Sequence, residues 1–374
     1  MGSGRWEDEV TRIVIHTPHY LDFDGSERRG GRARLLAELL SIITEDWGRP
    51  VTVIQKGHQD FHKTDSHGVP VIGVRAPLST YGDVTLGRRA RRHLRPDDGV
   101  LYGAGAQGAW PFHVQGAKGV QHGIGWDGPY SAVNRGYHER VNLDFVRAAR
   151  SVLCVDTNYI NWVRQQGALG VELASKCTYM PNFADLERLP VAEPERAPHT
   201  PLRLLYARRY EPKRGPSLFV GALSLLKQRG IAFEATMFSV GGVDVLERTL
   251  ADAGLSDAVA VRTAGMDAIL DEYAAHDVAV VPTVWSEGTS LAAVEAICAG
   301  LPVIATPVGG LGNLIVPDFN GRLVAPRAEE IADAIADYAQ DSAMWTRHRR
   351  ACLSLRPALS RRRWRAGALR WLRG

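Results

Sequence analysis

Short hydrophobic stretches alternate with longer segments of helical periodicity along almost the whole chain. The first group of short stretches predicts strands at Arg12–His16, Val51–Gln55, Val69–Arg75, Val100–Tyr102, Lys118–Gln121 and Ser151–Val155. A second group predicts strands at Leu202–Tyr206, Ala235–Phe238, Val259–Arg262, Asp277–Val281 and Val303–Thr306. Amphipathic segments separate them, such as Arg32–Ile43, which places four leucines on one face. Alternating strands and helices are typical of α/β proteins with parallel sheets.

The two groups of strands predict two domains. The segment Val191–Pro201 between them holds three prolines and few apolar residues, so we interpret it as a hinge. A chain of 374 residues is long enough for two ordinary domains. We expect an N-terminal domain over residues 1–190, a C-terminal domain over 191–355 and a basic helix over 356–374. Because ligands of open α/β sheets bind beyond the carboxyl ends of the strands, two such domains facing each other would form a binding cleft.

The segment Val280–Gly310 carries the clearest functional pattern. Glu287 follows a buried strand, and Glu295 lies eight positions further on, inside a predicted helix. The residues at the start of this helix are small, namely Gly288, Thr289 and Ser290. Helix starts have unsatisfied N–H groups and a partial positive charge, so they attract phosphate. Two carboxylates beside such a start predict a polyhydroxylated ligand that also carries phosphate, and a nucleotide sugar fits this description.

A pair of glycosidase carboxylates is the alternative interpretation of the two glutamates. If the eight residues from Glu287 to Glu295 were all helical, the rise between them would be roughly 12 Å. The two side chains would also point about 80° apart around the helix. Glycosidase carboxylates flank a single bond at about 5–10 Å. We therefore expect each glutamate to hold a different group of hydroxyls on one long ligand.

The segment Glu287–Gly310 resembles the signature of the family-4 retaining glycosyltransferases, which have the two-domain GT-B architecture. That signature is E-x7-E followed by A-x-x-x-G-x-P-V-I-A, a glycine-rich turn and an N-G pair. The matching positions are Glu287, Glu295, Ala296, Gly300, Pro302, Val303, Ile304, Ala305, Gly309, Gly310, Asn320 and Gly321. Many members have glycine three residues after the first glutamate, where this chain has Ser290. The resemblance implies an α/β GT-B fold, in which two Rossmann-like parallel-sheet domains face each other across a cleft and a C-terminal helix crosses back to the N-domain.

The resemblance also implies which residues bind the donor. The family has a G-R turn and a Lys-Gly pair directed at the diphosphate; here Ala207 replaces the glycine, Arg208 matches the arginine and Arg214 stands before Gly215. Arg209 and Lys213 remain alternatives for these roles. The expected donor-binding residues are Gly30, Gly31, Arg208, Lys213, Arg214, Glu287, Gly288, Thr289, Ser290, Leu291 and Glu295. We expect Glu287 to hold hydroxyls of the donor sugar and Glu295 to hold the ribose.

A histidine completes the catalytic residues that the resemblance implies. His122 follows a predicted strand and matches a histidine that the family places near the reacting sugar, with His113 as a rival. The residues expected to take part in catalysis are His122, Glu287, Arg208 and Arg214.

The implied activity is transfer of a sugar from a nucleotide diphosphate donor to an acceptor hydroxyl of unknown chemistry, with the anomeric configuration retained. Front-side attack is expected, with the departing phosphate helping to deprotonate the acceptor, in bacterial natural-product or surface-glycan biosynthesis. No D-x-D motif lies at a predicted strand end, so we expect neither a metal ion nor a cofactor beyond the donor substrate. A nucleotide-sugar 2-epimerase of the same architecture and a non-catalytic donor-binding protein are the alternatives.

Cysteine spacing and the first residues predict a cytoplasmic protein, with the inner membrane face as a peripheral location. Cys154, Cys177, Cys298 and Cys352 are scattered and have neither metal-binding nor redox spacing. The charged first residues do not resemble a signal peptide. No apolar run approaches the ~18–20 residues that span a membrane.

The net charge of +4 is unevenly distributed. Residues 356–374 contain seven arginines and residues 88–95 contain five, with no acidic residue in either segment, so the remainder carries 4 − 12 = −8. No nucleic-acid-binding motif accompanies them, and we expect no nucleic acid partner. For the Arg-rich helix at Gly87–Arg92, an anionic membrane surface and a solvated face both remain open. For Ser360–Leu372, whose apolar stripe is Trp364, Ala368, Trp371 and Leu372, we favour docking on the N-domain over a membrane surface.

Overall fold

A computed structural model describes residues 5–22, 31–77, 80–103, 109–129, 134–191, 195–239, 241–263 and 268–374. The chain divides into two compact units. Unit 1 comprises Met1–Pro181 and Trp364–Gly374, and unit 2 comprises Asn182–Arg363. The division of unit 1 from unit 2 falls after Pro181, whereas the sequence suggested residue 190. The segment interpreted as a hinge belongs to unit 2, where Arg196 forms an ion pair with Asp277 at 2.6 Å.

Unit 1 is built on an eight-stranded sheet with the order β3-β4-β2-β1-β5-β6-β7-β8. Its strands are β1 (Arg12–His16), β2 (Val51–Gly57), β3 (Phe61–Thr64), β4 (Pro70–Arg75), β5 (Asp98–Tyr102), β6 (Lys118–Gln121), β7 (Ser151–Cys154) and β8 (Cys177–Tyr179). All pairs are parallel except β3 with β4. The six predicted strands are present, and the two edge strands β3 and β8 were missed because they are short and largely exposed.

Helices cover the sheet of unit 1 within the described ranges. They are α1 (Trp6–Glu9), α2 (Gly31–Ser41, continued by a π-helical turn at Ile42–Asp46), α3 (Thr80–Ala90), α4 (Arg135–Ala148), α5 (Thr157–Arg164) and α6 (Gly170–Ser175). One core of unit 1 packs α4, α5 and α6 against β5 and β7. A side chain at Gly119 of β6 would come within 2.3 Å of the Phe145 ring, so glycine lets α4 pack closely on the sheet.

Unit 2 contains a six-stranded, fully parallel sheet with the order β11-β10-β9-β12-β13-β14. The strands are β9 (Leu202–Ala207), β10 (Phe233–Phe238), β11 (Val259–Arg262), β12 (Val278–Val281), β13 (Val303–Ala305) and β14 (Gly321–Leu323). The described helices are α7 (Pro216–Gln228), α8 (Val243–Asp252), α9 (Ala268–Ala275), α10 (Leu291–Ala299), α11 (Leu311–Leu314), α12 (Ala328–Gln340) and α13 (Ser342–Leu355). The two faces of the sheet lie in different cores: Leu204 and Tyr206 pack with α7 and α12, and Leu205 packs with α10. Burial on both faces explains why these strands are continuously hydrophobic, and the predicted α/β class with two parallel-sheet domains is confirmed.

The last helix is α14 (Arg361–Arg373), and its residues from Trp364 onward belong to unit 1. Trp364, Ala368 and Leu372 of the predicted apolar stripe are buried, whereas Trp371 is half-buried. Lys118 of β6 is only 1% exposed, and its ammonium donates hydrogen bonds to the main-chain carbonyl of Trp371 and, at 3.1 Å, to that of Leu372. Burial lowers the pKa of Lys118 to about 7. Because the last carbonyls of a helix have no partner within it, this lysine serves as a C-terminal cap for α14.

Charged groups also attach α14 to unit 1. Arg365 donates to Glu38 of α2 at 2.7 Å and to Asp46 at 2.8 Å. Within the described ranges, no helix is both long enough and apolar enough to cross a membrane.

We expect Arg365→Ala to lower the free energy of unfolding by about 1.5–3 kcal/mol, because it removes a charge-assisted bond to the buried Glu38. Arg362→Ala is the matched control, since Arg362 is exposed on the same helix and has no hydrogen-bond partner among the described residues. The control should change this free energy by less than about 0.5 kcal/mol. Urea unfolding measures both, and equal losses would show that the ion pairs do not anchor α14.

Candidate functional site

The candidate site of unit 2 is formed by the loops that follow β9, β12 and β13, all at the carboxyl edge of the sheet. Main-chain hydrogen bonds join these loops. The N–H of Val284 donates to the carbonyl of Lys213 at 2.8 Å, and the N–H of Gly310 donates to the carbonyl of Gly288 at 3.1 Å. The three loops therefore form one connected platform.

Two glycines permit this close approach of the loops. A Cβ atom at Gly309 would lie 1.8 Å from the carbonyl oxygen of Glu287. A Cβ atom at Gly215, whose φ is 73°, would lie 1.9 Å from the carbonyl oxygen of Pro282. Both distances are impossible for a side chain, so the glycines of the family signature have a steric reason here.

The helix of the signature begins later than the sequence suggested. Ser290 is the N-cap of α10, and its Oγ accepts from the N–H of Ala293 at 3.4 Å. Glu287 precedes this cap in a turn in which Ser286 has a φ of 59°, whereas Glu295 is inside the helix. The assumption of eight helical residues, from which the separation of roughly 12 Å was calculated, is therefore wrong. The two glutamates differ instead in their partners.

Glu287 lies in a buried cluster of positive charge. It is 7% exposed, and its Oε2 accepts from Arg208, from Arg214 at 2.6 Å and from the hydroxyl of Thr283 at 2.9 Å. Burial opposes ionisation of the carboxyl, but the charges of Arg208 and Arg214 outweigh it and hold the pKa of Glu287 below its ordinary value. No described residue bonds to Oε1, so this oxygen can accept a hydrogen bond from a ligand.

The two arginines have different freedom to bind a ligand. Arg208 is 9% exposed and also donates to Ser290 Oγ and, at 3.1 Å, to Thr283 Oγ1. The side chain of Arg214 is 23% exposed, and it uses Nη1 for Glu287 while Nε lies 3.7 Å from Glu211. Arg208 therefore mainly holds the cluster together, whereas Arg214 keeps N–H groups directed to solvent.

Glu295 occupies a different environment on α10. It is 7% exposed and accepts a hydrogen bond from the Tyr273 hydroxyl at 3.2 Å. Nearby, the main-chain carbonyl of Thr289 accepts from the Asn182 amide at 2.9 Å. The first contact holds the middle of α10, and the second holds the residues just before its start.

Of the predicted site residues, the structure places nine in unit 2: Arg208, Lys213, Arg214, Glu287, Gly288, Thr289, Ser290, Leu291 and Glu295. It brings Glu287, Arg208, Arg214 and Ser290 into direct contact, as described above. Lys213 pairs with Glu211 at 3.2 Å rather than with this cluster. Arg209 is exposed and has no hydrogen-bond partner among the described residues.

The other predicted site residues belong to unit 1. His122 follows β6, is half-buried and has its Nε2 3.0 Å from the carbonyl of Gly103, which follows β5. The rival, His113, is buried and packs against the rings of Tyr102 and Phe145. Gly31 is the first residue of α2, and Gly30 lies outside the described residues.

Three polar contacts of the site were not predicted. Thr283 follows β12, so its position at a strand end was an available signal. Tyr273 on α9 and Asn182 reach the site only through the tertiary fold. The described residues include no cluster of three or more His, Cys, Asp or Glu that could hold a metal ion.

Comparison with known proteins agrees with the resemblance in the sequence. Residues 191–352 match the family described as glycosyl transferases group 1. A D-inositol 3-phosphate glycosyltransferase of Paenarthrobacter aurescens (strain TC1) is 34% identical over 145 residues, which are 37% of this chain and 35% of that protein. The chain thus matches only about a third of the length of this relative.

Solved structures extend the likeness to the whole fold. Sucrose-phosphate synthase from Thermosynechococcus elongatus has a TM-score of 0.75 at 18% identity, over 96% of this chain and 97% of that one. Anabaena HepE in complex with UDP has a TM-score of 0.70 at 16% identity, over 96% and 99%. Residues 191–352 thus match the group 1 glycosyltransferases, and the fold matches that of these solved structures.

We expect Arg208→Ala to lower the free energy of unfolding by about 3 kcal/mol, because the buried Glu287 carboxylate loses one of its two arginine partners. Arg209→Ala is the matched control, and its exposed side chain predicts a change of less than about 0.5 kcal/mol. Adding Glu287→Gln to Arg208→Ala should restore part of the loss. Urea unfolding tests this, and a double variant that is no more stable than Arg208→Ala would contradict the pairing.

Proposed function

We propose that this protein is a retaining, metal-independent glycosyltransferase that moves a sugar from a nucleotide diphosphate donor to an acceptor hydroxyl. The observation that carries the proposal is the ionised Glu287, buried beside Arg208 and Arg214 at the start of α10. A carboxylate with one unbonded oxygen can accept hydrogen bonds from sugar hydroxyls. Guanidinium groups and a helix start bind phosphate. A nucleotide sugar has both kinds of group in one molecule.

The contacts suggest how the residues share the donor. Glu287 would use Oε1 for hydroxyls of the sugar, and Glu295 would hold the ribose. Arg214, with Lys213 as a neighbour, would bind the diphosphate, while Arg208 orients Glu287 and adds positive charge. The backbone of the α10 start would approach the phosphates through Gly288, Thr289, Ser290 and Leu291. The roles of Gly30, Gly31 and His122 remain predictions from the family resemblance.

The proposed reaction breaks the bond between the anomeric carbon and the phosphate oxygen and forms a bond from that carbon to the acceptor oxygen on the same face. The proton of the acceptor hydroxyl passes to the departing phosphate. Negative charge grows on the leaving diphosphate, so fixed positive groups there lower the barrier. The UDP complex of the similar Anabaena structure is consistent with a nucleoside diphosphate product. A role in bacterial natural-product or surface-glycan biosynthesis rests on the family resemblance.

A panel of UDP, GDP, dTDP and ADP in a thermal-unfolding assay identifies the donor base. A nucleotide whose Kd is about a hundredth of its concentration stabilises the protein by ~2.7 kcal/mol. The corresponding nucleotide sugars are then incubated with and without candidate acceptors, in EDTA. Transfer that survives EDTA supports the proposal. Chelator inhibition reversed by magnesium or manganese would overturn metal independence, and conversion of donor alone would identify an epimerase.

Substitutions of the two glutamates should separate binding from turnover. We expect Glu295→Ala to weaken binding of the bare nucleoside diphosphate about 10–100-fold, since it removes a charge-assisted bond of ~1.5–3 kcal/mol. Glu287→Gln should leave this binding unchanged or tighten it, because two guanidinium groups lose their carboxylate partner, while turnover falls. Calorimetric Kd and kcat measure the two effects. Equal losses of nucleotide affinity would show that the division of roles is wrong.

A further inference from the structure

A cavity with a positively charged lining lies at the carboxyl edge of the unit 1 sheet. Its volume is about 450 Å³, and it is lined by His58, Arg75, Ala76, Pro77 and Arg89. His58 follows β2, Arg75 is the last residue of β4, and Arg89 comes from α3. None of these residues belongs to the donor site proposed above.

Hydrogen bonds hold one arginine of this cavity and leave the other available. Arg89 donates to Asp60 at 2.8 Å and to the main-chain carbonyl of Arg75 at 2.7 Å. Asp60 also accepts from the main-chain N–H of Arg75 at 2.6 Å. The guanidinium of Arg75 is exposed and bonds to no described residue. Because Arg89 compensates the negative charge of Asp60, the positive charge of Arg75 remains uncompensated.

We infer that this cavity binds a phosphate group carried by the acceptor. The inference rests on the proposed glycosyl transfer. A guanidinium fork matches the oxygens of a phosphate. The volume lies in the range of small-molecule sites, so it holds more than a phosphate and leaves room for part of a sugar.

The order of the strands sets the length of such an acceptor. The cavity lies at the ends of β4 and β2, and His122 lies at the end of β6 on the same edge. Going from β2 through β1 and β5 to β6 crosses three strand spacings, or roughly 14 Å at ~4.8 Å each. If His122 is close to the reacting hydroxyl, the phosphate and that hydroxyl are at opposite ends of the acceptor. The acceptor is then longer than a single sugar phosphate.

Arginine modification measures phosphate binding at this cavity without relying on transfer. The full chain is treated with phenylglyoxal in the presence of inorganic phosphate or, as the control, of chloride at equal ionic strength. Peptide mass spectrometry then follows the modification of Arg75 and Arg92. Arg92 is exposed, does not line the cavity and has no hydrogen-bond or ion-pair partner among the described residues. At phosphate about ten times its Kd, Arg75 should react roughly tenfold more slowly, because only the unliganded fraction reacts. Arg92 should not change.

Two variants sharpen the test. Arg89→Gln removes a positive charge from the cavity and should therefore reduce the protection of Arg75 by phosphate. Asp60→Asn should increase this protection, because the substitution removes a negative charge while the asparagine amide can still accept a hydrogen bond from the main-chain N–H of Arg75. Equal protection of Arg75 and Arg92, or none, would overturn the inference. Protection by phosphatidylglycerol vesicles but not by phosphate would assign the cavity to a membrane surface instead. If sugar transfer fails but phosphate still protects Arg75, the proposed function is overturned while the phosphate site is supported.

Discussion

The burial of the Glu287 carboxylate is the constraint on which the candidate site depends. A carboxylate moved out of water is costly unless charge and hydrogen bonds compensate it. Here compensation comes from Arg208 and Arg214, which lie on the loop after β9, and from Thr283 after β12. The ion pairs therefore require the two loops to be adjacent. The steric demands of Gly215 and Gly309 act in the same direction, since each brings one loop onto the backbone of another.

Arg208 of this charged cluster also fixes the start of α10. Arg208 donates to the hydroxyl of Ser290, and that hydroxyl caps the helix. The family signature that the sequence resembles often has glycine at this position, and glycine would provide no such side chain. The departure from the family pattern therefore adds a bond between the positive cluster and the helix start, where phosphate is expected to bind. When the protein holds the dipoles and charges of a site in position before the ligand binds, these groups need little reorganisation during the reaction.

The sequence predicted the parts of the fold that depend on local pattern. Strands such as β9 and β12 are buried on both faces, so continuous hydrophobic stretches predict them. The short strands β3 and β14 escaped prediction because each has only three or four residues, most of them partly or fully exposed. The start of α10 was misplaced because E-x7-E does not reveal the turn at Ser286. Contacts between positions far apart in the sequence could not be predicted from local pattern. Arg208 and Glu287 are 79 residues apart, and Lys118 contacts a residue of α14 that is 254 residues away.

The arginines of the C-terminal segment show how a charge pattern changes meaning once the fold is known. Seven arginines within nineteen residues suggested a membrane surface as an alternative. Five of them bond within the protein, namely Arg356, Arg361, Arg363, Arg365 and Arg373. Arg362 and Arg370 have no such partner among the described residues. Most of this basic character thus has a structural use in attaching α14 and the turn before it. The case for a membrane surface therefore rests more on the Arg-rich end of α3, where Arg88 and Arg92 are exposed.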